Sequence, residues 1–338
     1  VVERLGMLIT IAKISMSSSI LHLDLSYDIH LTMSWIPDGN HGVSGHIYEI
    51  IDYYLLLTSV GMKVGILICE DIDWHAFKSM ITTKYEIEES ELVDIRKDIT
   101  FSNRPTCVRG KNILIVDGQL SRSIVRNGTI LCFKNILTFR CSPHDTHFDL
   151  PYNNVKLLQD NRVYDDSDNK IAIDYKKKIL FSRYKKINRI GSDVNMLYLT
   201  SNCRKLDPIY LRDCLEINKA NKYLILTNTP ERYRDHINHI NVSYPDLPVR
   251  GLFNSFDTYI YTKTDAVLNP DCGCFDCSPR FIAECAHYNK KIIYHDIDNS
   301  YLQKDTGLKW RKHDIETDLD SINLKPGDLI VDIVRDIL

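Results

Sequence analysis

Between His46 and Leu57 the apolar residues fall at positions 47, 50, 51, 54, 55 and 57, a spacing that gathers them on one face of a helix. Gly61 is placed to end that helix. Lys63 to Cys69 is a short β-rich run closed by Glu70 and Asp71, the pattern of a buried parallel strand. A glycine-bearing loop at 39–45 comes first, so loop, helix, glycine and strand in that order predict the start of a βαβ unit. Ahead of it, Met7 to Met16 is apolar, and His22, Asp24, Tyr27 and His30 among aliphatics read as strand and loop. Val1 to Gly6 match none of these patterns. Further buried strands are expected at Asn112 to Val116, ending on Asp117, and at Ile136 to Phe139, ending on Arg140. This alternation of elements argues for a doubly wound sheet.

The second half repeats the rhythm. Strands are expected at Val194 to Thr200, Tyr223 to Thr227, Thr258 to Tyr261 and Lys291 to His295, with helices at Pro208 to Lys219, Glu231 to Ile240 and Pro279 to Tyr288. A polar, acidic stretch from Asp165 to Asn169 and a basic one from Lys176 to Arg189 put the junction between about 160 and 192. The fold class expected is therefore α/β, with two Rossmann-like doubly wound domains, residues 1–175 and 176–338, facing a cleft.

Composition narrows the functional classes. With 42 Lys and Arg against 45 Asp and Glu in 338 residues, the formal charge is −3, so no global basic field advertises nucleic acid binding. Hydrophobic content of 44% and charged content of 26% are those of a globular chain, not a disordered one. The early apolar run is too short to span a bilayer, so a cytoplasmic protein without a membrane partner is expected. Of the ten cysteines, Cys69, Cys132, Cys141 and Cys203 lie in apolar runs and read as buried small hydrophobes. Cys272, Cys274, Cys277 and Cys285 lack the paired spacing of a zinc knuckle and read as thiols, with no metal required.

Four groups of residues could carry chemistry. Gly42 and Gly45 let backbone N–H groups approach an anionic ligand at a helix start, although a tight turn needs the same glycines. His46 leads the candidates for a catalytic base, ahead of Asp38, His41 and Asp117; a capping histidine is the bland alternative. Asn202, Arg204 and Lys205 directly follow a buried strand, where a planar guanidinium and a point charge can hold a diphosphate, or simply a solvated turn stands. Ser278, Arg280 and Glu284 open a helix, with Arg280 and Glu284 four apart on one face, either as a surface ion pair or as ligands for phosphate and ribose. In addition, Lys176, Arg183, Lys185 and Lys186, interleaved with Tyr175, Phe181 and Tyr184, could track a phosphate backbone or form an ordinary strand with solvated lysines.

The run from Ser278 to Ala286, followed by Lys290-Lys291-Ile292-Ile293, resembles the C-terminal-domain motif of GT-B fold glycosyltransferases, in which a small helix carries a glutamate for the nucleotide ribose. The loop Gly42-Val43-Ser44-Gly45-His46 similarly resembles the glycine-rich loop of that superfamily, notably in bacterial N-acetylglucosaminyltransferases of cell-wall synthesis. The resemblance implies an acceptor-side domain followed by a nucleotide-sugar-binding domain, a UDP-sugar as donor, and no required cofactor. The glycines that usually precede the ribose-binding helix are replaced by Asp271-Cys272-Gly273-Cys274-Phe275-Asp276-Cys277. Length and an Ile/Lys/Asn/Asp/Tyr-rich composition are also similar to phage-encoded glycosyltransferases that modify DNA bases, which implies DNA as an acceptor. A non-catalytic GT-B-like binding protein and a nucleotide-sugar epimerase are the competing expectations.

Overall fold

A computed structural model describes residues 19–33, 45–68, 72–102, 106–116, 130–139, 154–159, 173–174, 179–188, 191, 193–199, 206–227, 229–245, 251–262, 280–295, 332–333 and 335–336. Its strands form two sheets. Sheet one contains β1 (Ser19–His22), β2 (Ile29–Thr32), β3 (Val64–Ile68), β4 (Ile99–Phe101), β5 (Thr106–Ile115), β6 (Ile130–Phe139), β7 (Val155–Gln159) and β8 (Ile173–Asp174). They run in the order β4-β3-β2-β5-β6-β7-β8, with β1 also on β5. Strands β1 and β2 share one edge of β5: Ser19 to His22 pair with Thr106 to Arg109, and His30 to Thr32 with Ile113 to Ile115. Between them the Asp24 carboxylate accepts the Ser26 N–H at 2.8 Å and turns the chain. Counted as one interrupted strand, β1 and β2 make the succession first, second and third outward on one side, fourth onward on the other. That is the doubly wound order.

Sheet two contains β9 (Val194–Leu199), β10 (Lys222–Thr227), β11 (Val242–Ser243), β12 (Thr258–Thr262) and β13 (Lys291–His295), ordered β11-β10-β9-β12-β13. The same succession appears, and all its pairings are parallel, as in sheet one. The chain is therefore mixed α/β with parallel, Rossmann-like sheets.

Helices α1 (Gly45–Ser59), α2 (Trp74–Lys84) and α3 (Glu89–Asp98) accompany sheet one; α4 (Pro208–Ile217), α5 (Glu231–Arg234) and α6 (Arg280–His287) accompany sheet two. Their ends follow from local chemistry. Asp207 accepts the N–H groups of Ile209 and Tyr210, with Pro208 already fixed for the first turn of α4. Gly61, at φ 85°, closes α1: its N–H reaches Thr58 O at 3.0 Å and the Met62 N–H reaches Leu57 O at 3.1 Å. Asn289, at φ 53°, closes α6 in the same way, with the Lys290 N–H on Cys285 O at 2.8 Å.

The described helices cover one face of sheet one: Ile66, Ile68, Leu114 and Val116 pack with Ile47, Ile50, Ile51 and Phe77 of the helices, while Leu67, Ile113 and Ile115 form a second cluster with Val108, Leu131 and Phe133 of the sheet's own strands. In sheet two, Leu197, Leu199 and Ile225 meet Leu211 and Leu215 of α4. Its opposite face joins Met196, Leu226 and Tyr259 to Ile282 and Ala283 of α6, and also to Tyr48, Tyr85 and Tyr184. Ile333, close to the end of the chain, packs into the sheet-one core and not against sheet two.

Some expectations change. Strands β5 and β6 start six residues before the apolar runs that announced them, because their first halves alternate buried and exposed positions. The helix expected at 231–240 stops at Arg234 and continues as tight turns, with the His236 N–H on Tyr233 O and the Ile240 N–H on Ile237 O. Cys132, expected to be buried, is exposed, since it occupies an outward position of β6. Helix α1 is buried on every side from Ile47 to Leu57, not on one face alone.

Candidate active site

In open doubly wound sheets, ligands bind beyond the carboxyl ends of the strands at the point where the strand order reverses. That point lies between β2 and β5 in sheet one and between β9 and β12 in sheet two. The chain leaves β2 at Thr32 and re-enters helix at Gly45, so the loop bearing Asp38, His41 and Gly42 springs from that reversal point; these three residues lie outside the described ones. Asp117, just past β5, and Asn202, Arg204 and Lys205, just past β9, likewise lie outside them, as does Ser278 between β12 and α6. Topology thus attaches each of these loops to a strand flanking a reversal point.

His46 is described, in the first turn of α1, and is partly exposed at 26%. Its Nδ1 sits 3.2 Å from Oε2 of Glu49, one turn on, whose side chain is 1% exposed. With its proton on Nδ1, toward the buried Glu49, the ring would present Nε2 as the acceptor that a general base requires.

Arg280 and Glu284 are placed differently from expectation. Glu284 does not face an open cleft, and Arg280 is not a surface partner: they are 1% and 6% exposed and sit in a cluster that joins α6 to α1 and α2. The Arg280 Nε donates to Glu284 Oε1 at 3.1 Å, its Nη2 donates to the hydroxyls of Tyr184 (2.7 Å) and Tyr85, and its Nη1 lies 2.9 Å from Asp52 Oδ2 as an ion pair outside hydrogen-bond angles. Lys84 Nζ donates to both Glu284 oxygens, at 3.0 and 2.9 Å, and Tyr184 donates to Oε1 at 2.8 Å. Asp52 Oδ1 accepts the Tyr85 hydroxyl at 2.7 Å and the Leu180 N–H at 3.1 Å. Two cations and two carboxylates balance, which is the condition under which buried charge is tolerated. Rings complete the enclosure: Lys84 lies 4.5 Å and Arg280 5.6 Å from the centre of Tyr48.

The titration directions follow from this packing. Burial raises the Asp52 carboxyl in spite of Arg280 beside it. Burial also pushes on Glu284, but Lys84 and Arg280 together outweigh it and hold that carboxyl below its ordinary range. Lys84 is lowered by burial against the pull of Glu284.

In the basic stretch, Arg183 forks onto both oxygens of Glu91, at 3.1 and 2.7 Å, and Lys185 Nζ donates to Thr82 O at 2.5 Å. Their backbones pair with the end of α2, the Glu86 N–H on Arg183 O and the Lys185 N–H on Lys84 O. Lys186 is exposed, and Lys176 lies outside the described residues. The stretch is therefore a strap between the halves, and two of the four cations expected to meet DNA are engaged within the fold.

Sequence reasoning missed Asp52, Lys84, Tyr85 and Glu49. A signal existed for two of them: Glu49 and Asp52 are carboxylates inside a helix whose other positions are nearly all apolar, and carboxylates are rarely buried without partners.

Fold and site together define a mixed α/β protein with two parallel, Rossmann-like sheets, each with one reversal of strand order. The sequence matches no protein-family model and no curated protein. Among the described residues no group of three or more His, Cys, Asp or Glu side chains could hold a metal ion, and no helix is long and apolar enough to cross a membrane.

Proposed function

We propose that this protein is a nucleotide-sugar-dependent glycosyltransferase of GT-B-like arrangement, with a UDP-sugar over sheet two and an acceptor hydroxyl over sheet one. The observation that carries the reading is the repeated strand order, which hangs the basic loop with Asn202, Arg204 and Lys205 from β9 and the glycine loop from β2, each at a reversal point. His46, with Nδ1 held by Glu49, takes the acceptor proton on Nε2. Arg204 and Lys205 offset the charge that grows on the departing diphosphate. Arg280 and Glu284 act here as the brace between the halves. The acceptor is a hydroxyl compound; a DNA acceptor would have to be held with Arg183 and Lys185 already engaged.

A second reading, a non-catalytic binding protein of the same architecture, is favoured by one observation: both Glu284 oxygens already accept internal donors. UDP release from a panel of UDP-sugars, with and without hydroxyl acceptors, separates the two. A glycosyltransferase releases UDP and transfers sugar, an epimerase converts the sugar without an acceptor, and a binding protein does neither. His46→Gln should lower turnover by roughly 10²–10⁴-fold while UDP still raises the melting temperature. If no nucleotide stabilises the fold at concentrations where a ligand at 100 times its Kd would contribute about 2.7 kcal/mol, the donor site does not exist and the reading fails.

A further inference from the structure

Cysteine is ordinarily among the most buried residues, and Cys214 and Cys285 follow that rule. Cys107 and Cys132 do not. Cys107, near the start of β5, is half-buried and Cys132, near the start of β6, is exposed, and their sulfurs lie 3.5 Å apart. The register explains the meeting. Cys107 pairs with Ile130 and Arg109 with Cys132, so the two thiols stand on diagonally related positions of adjacent parallel strands and share one face. Val108, Leu131 and Phe133 take the opposite face into the core. Arg109 stands in register beside Cys132 and is exposed, and Lys134 is exposed two residues on, so cationic side chains share this strip of the sheet.

Two chemistries are open to such a pair. A disulfide requires sulfurs about 2.05 Å apart and Cα atoms within about 7 Å, and two residues of diagonal offset work against it. A single soft atom bound by both thiolates at about 2.3 Å with a tetrahedral angle spans sulfurs about 3.8 Å apart, close to the separation seen. Two sulfur donors, with no group of three or more His, Cys, Asp or Glu among the described residues, also select against hard cations, which want many oxygen ligands. We propose that Cys107 and Cys132 form a two-thiol binding site for a soft, thiophilic centre of the trivalent-arsenical class, on the outer face of sheet one and independent of the proposed transferase site.

With phenylarsine oxide as the probe, the step balances without any oxidant: two S–H bonds and the As=O bond break, two As–S bonds form, and one water leaves. The reduced full-length protein is treated with one equivalent of probe, digested and mapped by mass spectrometry. The expected result is one peptide pair bridged through Cys107 and Cys132, stable to a monothiol and released by a dithiol. Cys107→Ser and Cys132→Ser should each weaken retention by about 100-fold or more, because a one-bond adduct loses the effective concentration of the second thiol. The wild-type map does not depend on either variant folding. The proposal is overturned if the arsenical is recovered only on other cysteines, such as Cys272, Cys274 and Cys277, if Cys107 and Cys132 are modified singly, or if a disulfide between them resists the reductant.

Discussion

Replacing Arg280 by Met tests the buried brace directly. The substitution keeps most of the side-chain volume but removes the guanidinium, leaving the fully buried Asp52 with only the Tyr85 hydroxyl and the Leu180 N–H, and Glu284 with Lys84 and Tyr184. Breaking a buried ion pair from one side costs about 3–5 kcal/mol, because an uncompensated charge stays behind. Against a total stability of roughly 5–15 kcal/mol that is a large fraction. Urea unfolding, followed by tryptophan fluorescence and by circular dichroism, would read the loss as a lower midpoint. Adding Asp52→Asn removes the stranded carboxylate, so the double variant should recover about 1–3 kcal/mol relative to the sum of the two single changes. The pH dependence has a definite sign. Burial already raises Asp52 above its ordinary 3.8, and without Arg280 it rises further; a raised carboxyl destabilises the fold fully above its folded pKa, and the penalty fades as pH falls from there to the ordinary value. The gap between variant and wild type should therefore narrow as pH falls. A loss under 1 kcal/mol, or strict additivity with Asp52→Asn, would refute the brace.

Three further outcomes are expected. Burial lowers His30, which is 3% exposed, from 6.5 to about 4, so its neutral form is favoured in the folded state and stability should fall by about 3 kcal/mol as pH drops across that interval; His30→Gln should flatten the profile, and an unchanged slope would show that His30 is not its source. Gly61→Ala forces a Cβ into φ 85° and should cost roughly 1–2 kcal/mol by urea titration, with Gly61→Asn costing less; equal stability of all three would mean the turn relaxes. Glu284→Gln should destabilise the fold near neutrality, with the difference vanishing in acid: a lowered carboxyl contributes above its ordinary 4.5, and that contribution is lost as pH falls through the folded value. A difference that persists at low pH would assign the effect to packing instead.

The helices and strands most legible in the sequence were those whose burial is decided locally. Helix α1 and strands β3, β9, β10, β12 and β13 announced themselves through apolar spacing and, for α1, the closing Gly61. Helix α3 did not, because its ten residues include Glu89, Glu91, Asp94, Arg96, Lys97 and Asp98 and only Leu92 and Ile95 are buried. The first halves of β5 and β6 carry Arg109, Lys111 and Lys134 on an outward face, which breaks the continuous apolar run that marks a buried strand. At the candidate site, His46 was legible from the loop before it. The partners of Arg280 and Glu284 were not: Asp52 and Tyr184 are 228 and 96 residues from Arg280 along the chain, Lys84 is 200 residues from Glu284, and no local pattern encodes which distant charges will meet.

Two stretches of chain pass between the halves. One is the strap at 179–188, stitched to the end of α2 through Glu86 and Lys185 and to the end of α6 through the Tyr288 hydroxyl on Lys185 O at 2.8 Å. The other returns from sheet two to bring Ile333 into the core of sheet one. Any movement of one sheet against the other would first have to break the bonds of the strap and those around Arg280, so the same buried charges that brace the fold also couple the stability of its two sheets.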